Sequence, residues 1–281
     1  SVAGIITEIL DLKYLYVETH INAYYNTSLA ANSDAVKAVV LNNISTYADS
    51  SEMNKYGAKF KYSKFQAVVD NSNDSITSNI TKIEIRRDLK PLLNQNAEYE
   101  LCFGNSFYIK NTNGYNIKSS GFNIFGIAET VYLSDITFSN RKTGRLILFT
   151  LTGRNNANII SNNVGTVDYV KGEILIKPIN IVGTSKHIQD IPIIEISSCP
   201  KSNDVIGLQD LYLQLDINNS TVDMIADNIS SGDNTSGTLY TATSSYMAGD
   251  IARLTEDERA NTSLLSSDTY VLGSSNMPQA A

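Results

Sequence analysis

Tryptophan is absent from this 281-residue sequence, and histidine and cysteine occur only twice each. Metal centres draw on clustered His and Cys, and nucleophilic triads need a base beside the nucleophile, so these counts leave little material for either. Charge is scarce as well, at 18% Asp, Glu, Lys and Arg against about 25% in an average soluble domain. The balance is acidic: 22 Lys plus Arg against 29 Asp plus Glu, a net charge of −7. A surface of that sign repels phosphate, which argues against nucleic acid and against a polybasic membrane patch. No stretch approaches the ~18 consecutive apolar residues of a bilayer span. The first residues, Ser1 to Glu8, carry neither a basic start nor a signal-like apolar run, and there is no initiator Met. The sequence therefore reads as a piece of a longer chain or a processed one.

What is present is apolar and amide-rich. Hydrophobic residues make up 42%, there are 16 Tyr, and Asn and Ile each occur about thirty times. Cys102 and Cys199 lie far apart in strand-like segments and read as buried free thiols. Residues 12–25 place Leu15, Val17, Thr19 and Ile21 on one side of a period of two, which predicts a long strand. Then the period changes. After a cap at Asn32 or Ser33, Val36, Val39, Val40, Asn43, Ile44 and Tyr47 recur at helical spacing, predicting a helix to about Ala48. Tyr56-Gly57 marks a turn, Tyr62 to Asp70 a short helix capped by Ser63, and Ile76 to Arg87 a strand with Ile83 and Ile85 on one face.

From Glu98 the pattern is almost all β, with strands expected at 98–103, 106–110, 115–118, 122–127, 130–138, 145–152, 164–170, 173–177, 191–197 and 211–217. Turn pairs separate them, among them Asn113-Gly114, Thr143-Gly144, Lys171-Gly172 and Val182-Gly183. The fold class is thus α+β, mostly β. A strand–helix–helix–strand unit spans 1–95, an antiparallel β-sandwich-like region 96–227, and a polar linker with an extended C-terminal arm 228–281. Apolar residues dotted along that arm, including Tyr240, Tyr246, Leu254 and Tyr270, suit docking on a partner. On this reading, removing 229–281 weakens association and leaves folding intact.

Chemistry is harder to find. His187, Asp190 and Cys199 share a region but lack a nucleophile elbow or an oxyanion turn. His20 sits inside a strand, as structural histidines do. Asp70-Asn71-Ser72-Asn73-Asp74 resembles the start of a calcium loop but lacks its Gly and its closing Glu, so it reads as a helix-to-strand turn. No catalytic, cofactor or metal residues are assigned. Arg86-Arg87, with Lys82 and Lys90 nearby, is the one basic cluster; it reads as an exposed strand edge, or as an ion-pair patch for an acidic partner.

Two stretches carry a resemblance. Asp34 to Val40, Ile44, Tyr47, the Tyr56-Gly57 turn, Phe60 to Asp70, Ile76 and Ile80 to Ile85 together resemble the C-terminal portion of the baseplate J-like wedge proteins of contractile-tailed phages. Val164-Gly165-Thr166-Val167-Asp168-Tyr169-Val170-Lys171-Gly172-Glu173-Ile174-Leu175-Ile176 is similar to a hairpin of the T-even wedge proteins, extended by the Asp204-Val205-Ile206 turn and Leu211 to Ile217. The resemblance implies a non-enzymatic late virion protein, assembled in the host cytoplasm. It would form the inner baseplate ring as a homodimer, bind other wedge proteins, and take part in tail assembly and in triggering sheath contraction. The family's N-terminal regions are missing from the sequence. Two other classes stay open: a receptor- or glycan-binding β module of a tail fibre or spike, and a glycan hydrolase with paired carboxylates.

Overall fold

In the computed structural model, the chain is described over residues 13–30, 32–153, 156–208, 211–228 and 250–259. The first unit runs β1 (Lys13–Tyr25), α1 (Ser33–Ala48), β2 (Lys59–Phe60), α2 (Tyr62–Asp70) and β3 (Ile76–Leu89). There follow β4 (Asn96–Cys102), β5 (Ile117–Ser119), β6 (Phe122–Ile124), β7 (Tyr132–Thr137), β8 (Thr143–Gly153), β9 (Asn156–Asp168) and β10 (Glu173–Thr184). The last strands are β11 (Lys186–Ile188), β12 (Ile191–Ser198), β13 (Val205–Ile206), β14 (Leu211–Leu215) and β15 (Thr221–Ala226). The chain is α+β and mostly β, as its patterning predicts.

β1 is the spine. Its alternation sends Leu15, Val17, Ile21 and Ala23 to one face, all fully buried, where they join Val36, Val40 and Ile44 of α1 and Phe65 and Val69 of α2 in one core. β3 pairs antiparallel along one side of β1. Along the other side lie β14 and then β15, both parallel to it. Between those two, Asp216 N–H donates to Val17 O at 2.8 Å, and Thr19 N–H donates to Ser220 Oγ at 3.0 Å. Their break therefore leaves β1 satisfied. β12 pairs antiparallel with β3, and β5 and β11 flank β12. Strands on both sides of residue 95 thus share this sheet, and the change in sequence pattern there is not a sheet boundary.

The second sheet runs β4-β10-β9-β8-β7, with β6 on β10, and every pairing is antiparallel. One apolar cluster takes residues from both sheets.

Several expectations change. Asn32 caps α1, its Oδ1 accepting from Asp34 N–H (2.9 Å) and Ala35 N–H (3.3 Å). Ser63 does not cap α2: Asp204, from the turn before β13, accepts from Tyr62 N–H at 2.9 Å instead. Residues 106–110 form no strand. Phe107 N–H donates to Tyr169 O and Tyr108 N–H to Cys199 O, so the segment bridges two structures instead of following one. Val182-Gly183 is not a turn but a register shift inside β10. β15 escapes sequence reading because Thr221–Ala226 lacks a clean run, and parallel pairing to β1 supplies the order instead.

Candidate functional site

The face of β1 opposite the helices is polar. Tyr16, Glu18 and His20 stand opposite Arg86, Glu84 and Lys82 of β3, and β12 adds Glu195 and Ser197. These groups build an ion network beneath the segment 250–259. Arg86 is 3% exposed. Its Nη1 donates to Glu18 Oε1 (2.5 Å) and Asp216 Oδ2 (2.8 Å), and its Nε to Asp88 Oδ1 (2.8 Å). The guanidinium also lies over the Tyr16 ring, 4.4 Å from the centroid. Arg253 approaches from the other side. It forks onto both oxygens of Glu18 at 2.8 Å each and sends Nε to Glu195 Oε2 at 3.0 Å. Lys118 of β5 bonds Glu84 at 3.2 Å.

Electrostatics follow from this packing. Burial by itself raises the Glu84 carboxyl, but Lys118, Lys110 and Arg253 override it and hold the group well below the usual carboxylate range. Burial lowers the affinity of Arg86 for its proton, yet Asp88, Glu18, Glu195 and Asp216 more than reverse this. Asp216 is pushed up by burial and brought down further by its bonds from Asn219 and by Arg86. Asp88, half-buried, stays above its ordinary value because burial outweighs the pull of Arg86.

The segment 250–259 closes the network by docking on the chain itself. Arg253 N–H donates to Ser119 O at 2.8 Å, and Ala252 and Leu254 are buried with Tyr132 and Phe149. Thr255 and Glu258 form a reciprocal cap: Glu258 N–H donates to Thr255 Oγ1 (3.2 Å) and Thr255 N–H to Glu258 Oε2 (2.7 Å). Leu254, expected as a partner-docking residue, is buried against its own chain. The expectation that folding is independent of everything after 228 meets a competing observation here: Arg253 bonds the buried carboxylates Glu18 and Glu195, and Ala252 and Leu254 are buried.

Arg86 and Arg87 do not form a basic cluster either. Adjacent strand residues point to opposite faces, so Arg86 enters the ion network while Arg87 Nη1 donates to Cys102 O at 2.7 Å. Tyr240, Tyr246 and Tyr270 lie outside the described residues. His187 and Asp190 are exposed on and beside β11, whereas Cys199 is buried and burial raises its thiol. Both cysteines are free. Residues 71–75 form the turn from α2 to β3, with Asp70 accepting from Asn79 Nδ2 at 2.7 Å.

Sequence spacing missed one juxtaposition: Glu18, His20 and Glu84 bring ligand atoms within 4.8 Å of one another. Both oxygens of Glu18 already accept from Arg253, and Glu84 holds Lys118, so these carboxylates serve the ion network. The register of β1 on β3 creates the trio, and no linear motif signals it.

A second polar hub pins the other sheet. Asp135 accepts from Asn116 N–H (2.6 Å), Ile117 N–H (2.7 Å), Asn116 Nδ2 (2.9 Å) and Tyr169 Oη (2.5 Å). Tyr169 belongs to the hairpin of β9 and β10, whose Gly172 takes φ +71°.

Residues 13–88 match the family model described as baseplate structural protein gp6, C-terminal domain III. No curated protein matches the chain. The matched bounds nearly coincide with the start of β1 and the end of β3, so the match covers the spine strand, both helices and the strand that carries Arg86. The likeness to that baseplate domain is thus carried by the stretch from β1 through β3.

Proposed function

We propose that this chain is a structural component of a phage tail baseplate wedge, which builds the inner baseplate ring by self-association and by contacts with other wedge proteins. The observation that carries this reading is the family match over the stretch from β1 through β3, residues 13–88. Its action is mechanical and not catalytic: stiff modules joined by contacts that repack, as tail assembly and the triggering of sheath contraction require. The ion network and the Asp135 hub are consistent with stiffness, because buried polar groups with satisfied partners tolerate few alternative packings. Exposed apolar residues such as Phe125 (77%) and Leu29 (67%) offer contact points to neighbours. The protein would reside in the virion tail after assembly in the host cytoplasm, with Tyr240, Tyr246 and Tyr270 as further partner contacts.

Sedimentation velocity tests the reading directly. The chain alone should shift from monomer to dimer as concentration rises, and it should co-sediment with other wedge proteins. A strict monomer with no affinity for any of them would remove the proposal.

A further inference from the structure

An open depression of about 570 Å³ lies between the 106–112 segment, the turn after β7 and the end of β9. Its polar rim carries Lys110, Arg141 and Lys201, and no carboxylate lines it. On a chain of net charge −7, such a concentration of one sign is a local reversal of the global field. None of the three cations has an ion pair among the described residues, although Lys110 also faces Glu84. Nearby carboxylates are already engaged. Asp204 holds Lys61 Nζ at 2.7 Å and caps α2, Asp135 accepts four bonds, and Asp168 accepts from Val170 N–H and Lys171 N–H at 2.9 Å each.

Apolar side chains also line the depression. Phe107 and Tyr169 are buried there, and Val170 stands 56% exposed. Arg141 adds a local observation. Its φ is +53°, a left-handed conformation that Gly or Asn adopts more cheaply than Arg. The Asn140 side chain fixes that turn by accepting from Lys142 N–H (2.9 Å) and Thr143 N–H (3.1 Å). A strained position occupied by a long cation at the mouth of a basic depression is where a binding role outweighs local stability.

We infer that this depression is a docking site for an acidic peptide segment of a neighbouring protein, one that presents carboxylates to Lys110, Arg141 and Lys201 and an apolar side chain to Val170. The inference deepens the assembly reading and rests on it for the neighbour's identity. A short carboxylate-bearing segment fits better than nucleic acid. Screening over about 8 Å at physiological salt confines its attraction to the pocket, whereas a polyanion extending further meets the acidic surface.

The test titrates the full chain into a fluorescein-labelled decapeptide of alternating Glu and Leu, at 50 and 300 mM salt, beside its Gln-for-Glu counterpart. Binding should require Glu and weaken with salt. It should fall at least tenfold in Lys110→Glu/Lys201→Glu and stay unchanged in Lys55→Glu, outside the pocket. Arg141→Gly separates binding from folding, since it should keep or raise the melting temperature while weakening the peptide. Absence of binding, binding indifferent to these variants, or an oligothymidylate of equal charge binding as tightly would each overturn the inference. Co-sedimentation of the wild-type chain with wedge proteins reports on the assembly reading separately. If the double variant co-sediments undiminished, the assembly reading stands and this docking site falls.

Discussion

Arg253 and Glu18, 235 positions apart, meet through two parallel bonds of 2.8 Å each, Nη1 to Oε2 and Nη2 to Oε1. Glu18 is only 1% exposed and also receives Arg86. A carboxylate this deeply buried depends on its cations, because removing one partner leaves an uncompensated charge in a poorly polarisable site. Arg253→Ala should therefore lower stability by about 3 kcal/mol or more, read from the denaturant midpoint. Arg253→Lys should recover only part, since an ammonium cannot fork onto two oxygens. A loss below about 1 kcal/mol for the alanine variant, the range of exposed ion pairs, would show that the 250–259 segment is not seated in the folded protein.

The Asp135 hub gives an asymmetric pair. Tyr169→Phe removes the hydroxyl's bonds with Asp135 and Thr137 but leaves Asp135 with three donors, a cost of about 1–2 kcal/mol. Asp135→Ala strands Asn116 N–H and Ile117 N–H and also takes an acceptor from the Asn116 amide and the Tyr169 hydroxyl, which keep Asn111 O and Thr137 Oγ1. Its cost should exceed that of Tyr169→Phe at least twofold in an equilibrium unfolding experiment. Equal losses would mean that the phenol, and not the carboxylate, organises the hub.

How far these features can be read from sequence depends on their range. The helical face Val36, Val40, Ile44 and the strand face Leu15, Val17, Ile21 are periodic patterns, so α1 and β1 are legible within about two residues. The helix that Ser63 fails to cap shows the opposite case: Asp204 lies 142 positions from Tyr62, and nothing local announces it. Arg86 and Arg87 look like one basic cluster in the sequence because adjacency there is not adjacency across a pleated strand. The ion network is invisible for a related reason. Its members come from β1, β3, β5, β12, the turn after β14 and the 250–259 segment, and each looks like an ordinary surface charge until the register is known.

The hairpin of β9 and β10 depends on two glycines in different ways. At Gly172, φ is +71° and an added Cβ would lie 2.0 Å from Asn105 O; at Gly165, it would lie 2.1 Å from Leu175 O. Both obstacles are backbone, which cannot swing aside. Gly165→Ala and Gly172→Ala should each destabilise by more than the about 1 kcal/mol of a simple Gly-to-Ala strain effect, visible as a lowered melting temperature. A neutral result at either site would show that the hairpin backbone yields more readily than close packing allows.

Asp204 isolates the value of a cap supplied from a distance. Its ion pair with Lys61 is exposed, with side chains 48% and 41% accessible, so that pair adds little. The bond from Tyr62 N–H satisfies a helix N-terminal donor, worth about 1 kcal/mol. Asp204→Asn keeps an accepting oxygen and loses the charge, and should be nearly neutral. Asp204→Ala should cost about 1 kcal/mol in denaturant unfolding. If the two variants lose equally, the ion pair and not the cap is what matters there.

Acid stability should report the network as a whole. Glu84 and Asp216 of the network, and Asp204 at the α2 cap, hold their protons less tightly in the folded chain than their ordinary values. The unfolded chain then takes up protons first as pH falls. The stability these groups contribute is complete above the unfolded carboxylate range, near pH 4, and is lost as pH drops through the folded values below it. Asp88 works the other way, since burial raises it, and it blunts the loss. The melting temperature should hold level between about pH 5 and 7 and fall steeply below about pH 4. Glu84→Gln should flatten that fall, because a glutamine has no proton to gain. An acid limb identical in the variant and the parent chain would place the acid-sensitive charge elsewhere, whatever the stability of the variant at neutral pH.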